Sequence, residues 1–227
     1  MSQMSFEKDL EAIQKELLLL GGMVEKAIST SILALKDLNV RLAKEVIRDD
    51  RDIDIQELKI DDMCIKFIAL QQPKAMDLRF VTGAMKINNE LERMGDYAES
   101  IARQALFLSS KPSLKPLVNI PLMAERVQSM VKDSLNAFVQ KNECLAHDVI
   151  QRDQEVDALQ ATIYKNLLHD MIRDKDTIER ASSLLLTSTR LERIADQSTN
   201  ICEDIIFMIT GESVRHKEKI SLNPPQD

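Results

Sequence analysis

Apolar residues recur every three to four positions from Phe6 to about Lys36: Leu10, Ile13, Leu17, Leu20, Val24, Ala27, Ile28, Ile32 and Leu35. That period marks one face of an α-helix, and it continues unbroken through Gly21-Gly22. Each glycine lowers helix propensity by roughly 1 kcal/mol, so the pair marks either a close helix–helix contact or a soft bend, and the unbroken stripe favours the contact. The pattern resumes from about Val40 to Leu70 and stops at Gln71-Gln72-Pro73. Proline disfavours the helical conformation in the residue before it. Four more helices are expected, over about Ala75 to Ser109, Leu122 to Gln140, Cys144 to Ile172 and Ile178 to Thr210, the last capped by Gly211. Residues 111–121 hold three prolines and no periodicity. They read as a linker between a first unit, 1–110, and a second, 122–212, with a flexible tail over 213–227.

The two units repeat. Leu91-Glu92-Arg93-Met94-Gly95-Asp96 returns as Leu191-Glu192-Arg193-Ile194-Ala195-Asp196, and residues 46–54 match residues 149–157. The offset is 103 at the earlier match and 100 at the later one, so the second half is three residues shorter in between. Helices of about 30 residues joined by short turns pack as antiparallel neighbours. The expected fold class is all-α, a tandem repeat of two antiparallel three-helix bundles.

The repeat carries acids in pairs: Asp50 with Asp54 and Glu92 with Asp96 in the first half, Asp153 with Asp157 and Glu192 with Asp196 in the second. Spacing of i and i+4 puts both carboxylates on one helix face, where like charges repel. On the third helix Glu92 and Asp96 lie roughly 85° and 125° from the centre of the stripe Val81, Ala84, Leu91, Gly95, Ala98, Ala102 and Ala105. The acids therefore flank the core, and a surface groove between the second and third helices of each half is expected. Glu57 and Asp61 extend the row of Asp50 and Asp54, whereas Gln160 and Tyr164 stand at the corresponding positions of the second half. The first groove should be the more acidic and should hold more metal. Clustered carboxylates oppose folding unless a multivalent cation binds them. An all-oxygen donor set suits Mg²⁺, Ca²⁺, Mn²⁺ or oxidised iron, and argues against a Zn²⁺ site built on thiolate or imidazole.

Composition narrows the classes. Five Gly, six Pro and no Trp in 227 residues argue against turn-rich β architecture. Net charge of −7 argues against nucleic acid as a partner. The N-terminus is too polar for a targeting peptide, and the longest apolar run, Leu17 to Leu20, is too short for a membrane span. A cytoplasmic protein without direct membrane insertion is expected. Cys64, Cys144 and Cys202 are scattered and read as small buried hydrophobes in a reducing compartment. The methionines read as core filling. No Glu-x-x-His, HExxH, Gly-rich phosphate loop or nucleophile elbow is present.

The chain resembles the PhoU family of phosphate-signalling regulators from Phe6 to Glu212. The residues that carry the likeness are Gly21-Gly22-Met23-Val24-Glu25, Gln72-Pro73 with Asp77-Leu78-Arg79, Glu90 to Asp96, Leu191 to Asp196, Asn200-Ile201-Cys202-Glu203 and Thr210-Gly211. The resemblance implies six helices in two bundles, a homodimer, and multinuclear metal clusters on the acid-xxx-Asp motifs named above. It also implies contact with a sensor histidine kinase and with the ATPase subunit of the Pst phosphate transporter, damping the phosphate-starvation response. Ala195 departs from the usual Gly, and Tyr97 and Gln197 stand where His or Arg is frequent, so no supplementary ligand is assigned there. The ion is open among Fe, Mn, Mg, Ca and Zn, since such sites follow availability as much as affinity. The leading reading is a non-enzymatic metal-binding adaptor. The alternatives are a phosphoester hydrolase, for which no base, nucleophile or Arg cluster can be named, and a metal-binding helical scaffold without a dedicated signalling role.

Overall fold

The computed structural model describes residues 3–112 and 119–214. Among the described residues there are six long helices: α1 (Gln3–Lys36), α2 (Val40–Gln71), α3 (Ala75–Ser109), α4 (Asn119–Gln140), α5 (Glu143–Arg173) and α6 (Ile178–Thr210). One 3₁₀ turn, Lys175–Thr177, leads into α6. α4 begins three residues earlier than the periodicity suggests, with Pro121 in its first turn, where the missing N–H has no helical partner to lose. The expected tail lies almost wholly outside the described residues, as does the middle of the expected linker.

The repeat is visible in the turns. Asn39 and Asn142, 103 apart, both cap the next helix: Asn39 accepts from the amides of Arg41 and Leu42, Asn142 from that of Leu145. The residue before each is left-handed, Leu38 and Lys141 both at φ 49°. The amides of Asn39 and Asn142 donate to the carbonyls of Ala34 and Ala137 at 2.9 and 3.0 Å. The connections that follow differ. α2 ends at a left-handed Gln72 before Pro73, whereas α5 passes through the 3₁₀ turn, and here the three residues are lost. Gly211 closes α6 at φ 78°, its N–H donating to Phe207 at 2.9 Å.

α1, α2 and α3 pack together, as do α4, α5 and α6; the halves meet through α3 on α6 and α1 on α4. The order across the molecule is thus α2–α3–α6–α5, with α1 and α4 covering one side. α3 and α6 bury an extra row, Ile87, Met94, Ile101 and Leu108 on α3 and Ile194, Ile201 and Ile205 on α6. This row lies beyond the single stripe read from the sequence, because both helices have neighbours on two sides. Their contact is antiparallel and partly polar. Lys86 pairs with the buried Asp204 at 3.1 Å at one end, while Arg190 donates to Ser100 and Ser183 to Gln104 at the other. A Cβ at Gly21 would stand 2.9 Å from the methyl groups of Leu135, so this glycine is where α1 meets α4; one at Gly22 would meet nothing.

α1 is long and apolar enough to cross a membrane, with mean hydropathy 1.5 in its most apolar window. Its apolar face is spent inside the protein: Ile13, Leu17, Leu20, Val24, Ile28 and Leu35 are buried in the core. Cys64 and Cys202 are buried as expected, and burial pushes both thiols up to about 12. Cys144 departs from the expectation, being exposed in the first turn of α5. Among the described residues Met94, Met123 and Met130 fill the core, Met23, Met63, Met85, Met171 and Met208 pack partly buried against it, and Met76 faces solvent.

Candidate metal centre

α2 and α3 run antiparallel, so the acid row of α2 descends as that of α3 ascends. Asp50, Asp54 and Asp96 converge, each offering a carboxylate oxygen within 4.8 Å of the others'. Asp50 is half-buried at the seam, and Asp54 and Asp96 face solvent, which is the surface groove the helical angles implied. The close seam is made by Gly95. A Cβ there would lie 3.1 Å from two carbons of Ile53 and 3.6 Å from the Asp50 carboxylate. The second half has Ala195 and Val156 at these positions, one carbon gained on one helix and one lost on the other.

The electrostatics follow from this crowding. Burial, then Asp54, Glu99 and Asp96, push the Asp50 carboxyl up to about 6. Burial, then Asp96, Asp54, Glu57 and Asp50, push Glu92 up to about 7. Asp96 and Glu57 also rise, each first through burial; Asp54 and Glu99 add to the rise of Asp96, and Asp61 and Asp54 to that of Glu57. Asp61 sits at the far end of the row, beside the carboxamide of Asn88. All six predicted first-groove acids thus line one seam, although only three of them meet closely.

The sequence reading missed Glu99. It extends the α3 row at i, i+4, i+7 with Glu92 and Asp96, the spacing already noted for Asp50, Asp54 and Glu57. Its carboxylate accepts from Arg103 one turn on, and the Arg103 charge lowers Asp50 in turn. Tyr97 is no ligand to this groove: its ring lies 5.5 Å from the Arg190 guanidinium, on the α6 side. Gln197, its counterpart, is buried and accepts from Asn200.

The α5/α6 groove is sparser. Asp153 is pushed up to about 6 by burial and by Asp157, Asp196 and Glu192, and its Oδ1 is buried without a hydrogen-bond partner. Glu192 and Asp196 are raised first by burial and partly relieved by Arg193. In the first half the matching Arg93 is drawn to Tyr97 instead. Among the described residues no second trio as close as Asp50, Asp54 and Asp96 forms. Arg152, beside Asp153, is turned to α4, where it donates to Asp133 at 2.8 Å and Ser129 at 3.1 Å.

Carboxylate oxygens this close, on rigid helices and with raised proton affinity, fit a hard cation ligated by oxygen. Asp50, Asp54, Glu92 and Asp96 would hold it in the first groove, with Glu99 at its upper edge, and Asp153, Asp157, Glu192 and Asp196 in the second.

Known proteins resemble this chain along nearly its whole length. The family model described as PhoU domain matches residues 17–105 and again 120–205. A phosphate-specific transport system accessory protein PhoU homolog of Aquifex aeolicus is 42% identical over 214 residues, covering 94% of this chain and 97% of the relative. PhoU of Escherichia coli K12, named likewise as a phosphate-specific transport system accessory protein, is 35% identical over 93% of this chain and 88% of its own length. The crystal structure of PhoU from Pseudomonas aeruginosa superposes with a TM-score of 0.89 at 34% identity, covering 91% of this chain and 100% of that one. That of the phosphate transport system regulatory protein PhoU from Streptococcus pneumoniae gives 0.86 at 31% identity, over 92% and 99%. None of these names is that of an enzyme.

Proposed function

The chain belongs to the PhoU family, and on that premise we propose that it is a non-enzymatic, metal-binding accessory of phosphate-specific transport that dampens the phosphate-starvation response. In this reading it works in the cytoplasm, as a homodimer, between the ATPase subunit of the Pst transporter and the sensor histidine kinase of the phosphate two-component system. The observation that supports it is the doubled groove. Two homologous helix pairs each present four carboxylates, and in the first, three of them lie within 4.8 Å of one another. Such clusters are unfavourable alone and become ligands when a multivalent cation neutralises them. A bound ion would clamp α2 to α3 and α5 to α6, so metal occupancy would set the shape of the surface offered to partners.

Protein purified without chelator should carry metal, and Glu92→Ala/Asp96→Ala should lose the share held in the first groove. Unchanged content in the variant would sink the ligation. Deleting the gene should release alkaline phosphatase in high phosphate; a repressed level in the deletant would count against the regulatory role. A pull-down from phosphate-replete cells, with and without chelator, should recover the kinase and the transporter ATPase in a metal-dependent manner.

A further inference from the structure

Between the two acid grooves runs the open edge of the α3/α6 contact, and it carries arginines. The pairs Lys86–Asp204 and Ser100–Arg190, each at 3.1 Å, fix the register of these antiparallel helices. In that register Arg93 stands level with Gln197, Arg193 with Tyr97 and Arg190 with Ser100, so the three arginines share about 10 Å of seam. Around α3, Arg93 lies between Asp96, on the α2 side, and Tyr97, on the α6 side. Around α6, Arg193 lies between Asp196 and the buried Gln197 in the same way. Arg93 and Arg193 are exposed, and Arg190 is half-buried. Arg103 and Arg152 each sit on a carboxylate, but among the described residues these three arginines make no such pair. That is so although acids outnumber bases in the chain, 37 to 30. Neutral groups hold them instead. Arg190 Nε donates to Ser100 Oγ, and its guanidinium carbon lies 5.5 Å from the centre of the Tyr97 ring. The Tyr97 hydroxyl bonds to Arg93 and raises its proton affinity. An arginine set over a ring with its Nε occupied has a fixed direction and keeps both Nη groups for another acceptor.

We propose that Arg93, Arg190, Arg193 and Tyr97 form a docking site for an acidic segment of a partner protein, one that presents several carboxylates along its length. The shape favours that ligand over a single oxyanion. The site is an open ridge without walls, and its cations are strung over about 10 Å, the reach of roughly three extended residues. Carboxylates spaced along a peptide can each meet a guanidinium, whereas one phosphate would reach only part of the set. Arginine and tyrosine are also the residues that most often carry the binding energy of protein interfaces. The acid rows on either side repel an anionic segment that strays from the ridge, which fixes its path along the seam. The site needs no ion in the grooves, so it stands apart from the metal reading.

Fluorescence anisotropy of a labelled oligo-glutamate peptide, titrated with the full chain at low salt and in chelator, tests it. The wild-type chain should bind saturably, and Arg93→Gln/Arg193→Gln should weaken binding by about tenfold with helical content unchanged. Arg190→Lys should weaken it as well, since an ammonium keeps the charge but not the fork set over Tyr97. Arg48→Gln removes the same charge from an exposed arginine of α2 and should bind as wild type does. Equal losses in the Arg48 variant and the seam variant overturn the site, because net charge alone would then explain them. A wild-type chain that does not bind the peptide overturns it too. Displacement of the peptide by inorganic phosphate, where chloride of equal ionic strength has no effect, overturns it in favour of a small-oxyanion site.

Discussion

Replacing Glu92 by Gln should stabilise the metal-free protein at neutral pH and weaken the metal-bound one. Burial and four neighbouring acids lift the Glu92 carboxyl from 4.5 to about 7. A carboxyl with a higher pKa in the folded chain holds its proton more tightly when folded. The stability it contributes is present below the unfolded value, near pH 4.5, and is lost as pH rises towards 7. At full strength the rise corresponds to roughly 3 kcal/mol. Solvent reaches this half-buried group, and screening reduces the figure to about 1–1.5 kcal/mol. A chain of 227 residues unfolds with an entropy of about 0.5 kcal/mol/K, so the effect on Tm is about 2–3 °C. Thermal melts in chelator should therefore show Glu92→Gln and wild type together near pH 4.5 and the variant about 2–3 °C higher near pH 8. Excess Mn²⁺ should reverse the order near pH 8, since an ion held at a hundredfold excess over its Kd adds about 2.7 kcal/mol to the form that binds it. A variant less stable than wild type in chelator near pH 8, or a difference that does not change with pH, would refute the reasoning.

Two further outcomes test the packing that holds the grooves. Gly95→Ala gains about 1 kcal/mol of helix propensity but crowds Ile53 at 3.1 Å, an overpacking that costs about 1–3 kcal/mol; adding Ile53→Val, the pairing found in the second half, should recover about 1 kcal/mol in denaturant melts. Lys86→Met removes the cation facing the buried Asp204 across the two halves and should cost about 1–2 kcal/mol, less than a fully buried pair because Lys86 is half-exposed; a thermal melt unchanged within error would show that this pair does not bind the halves together.

The six helices, the offset of the repeat and the four acid pairs were legible in the amino-acid sequence because each is a local matter. A stripe of Leu and Ile every three to four residues makes a helix wherever it stands, and Asp50 and Asp54 share a face by helical geometry alone. The matched caps Asn39 and Asn142 were missed in the sequence, although they stand at the same offset of 103 as Asp50 and Asp153. What depends on the register between helices was not legible. Glu99 lay in plain spacing, but only the antiparallel pairing of α2 with α3 sets it against Asp50. Asn88 is an ordinary polar residue until packing buries it between Glu57 and Asp61 and leaves its Oδ1 without a donor. The second buried row of α3, and the Lys86–Asp204 pair, exist because α3 has α6 on one flank and α2 on the other. Helical periodicity places a side chain around its own axis within tens of degrees. Which neighbour fills that direction, and at what level, is decided by how the helices pack.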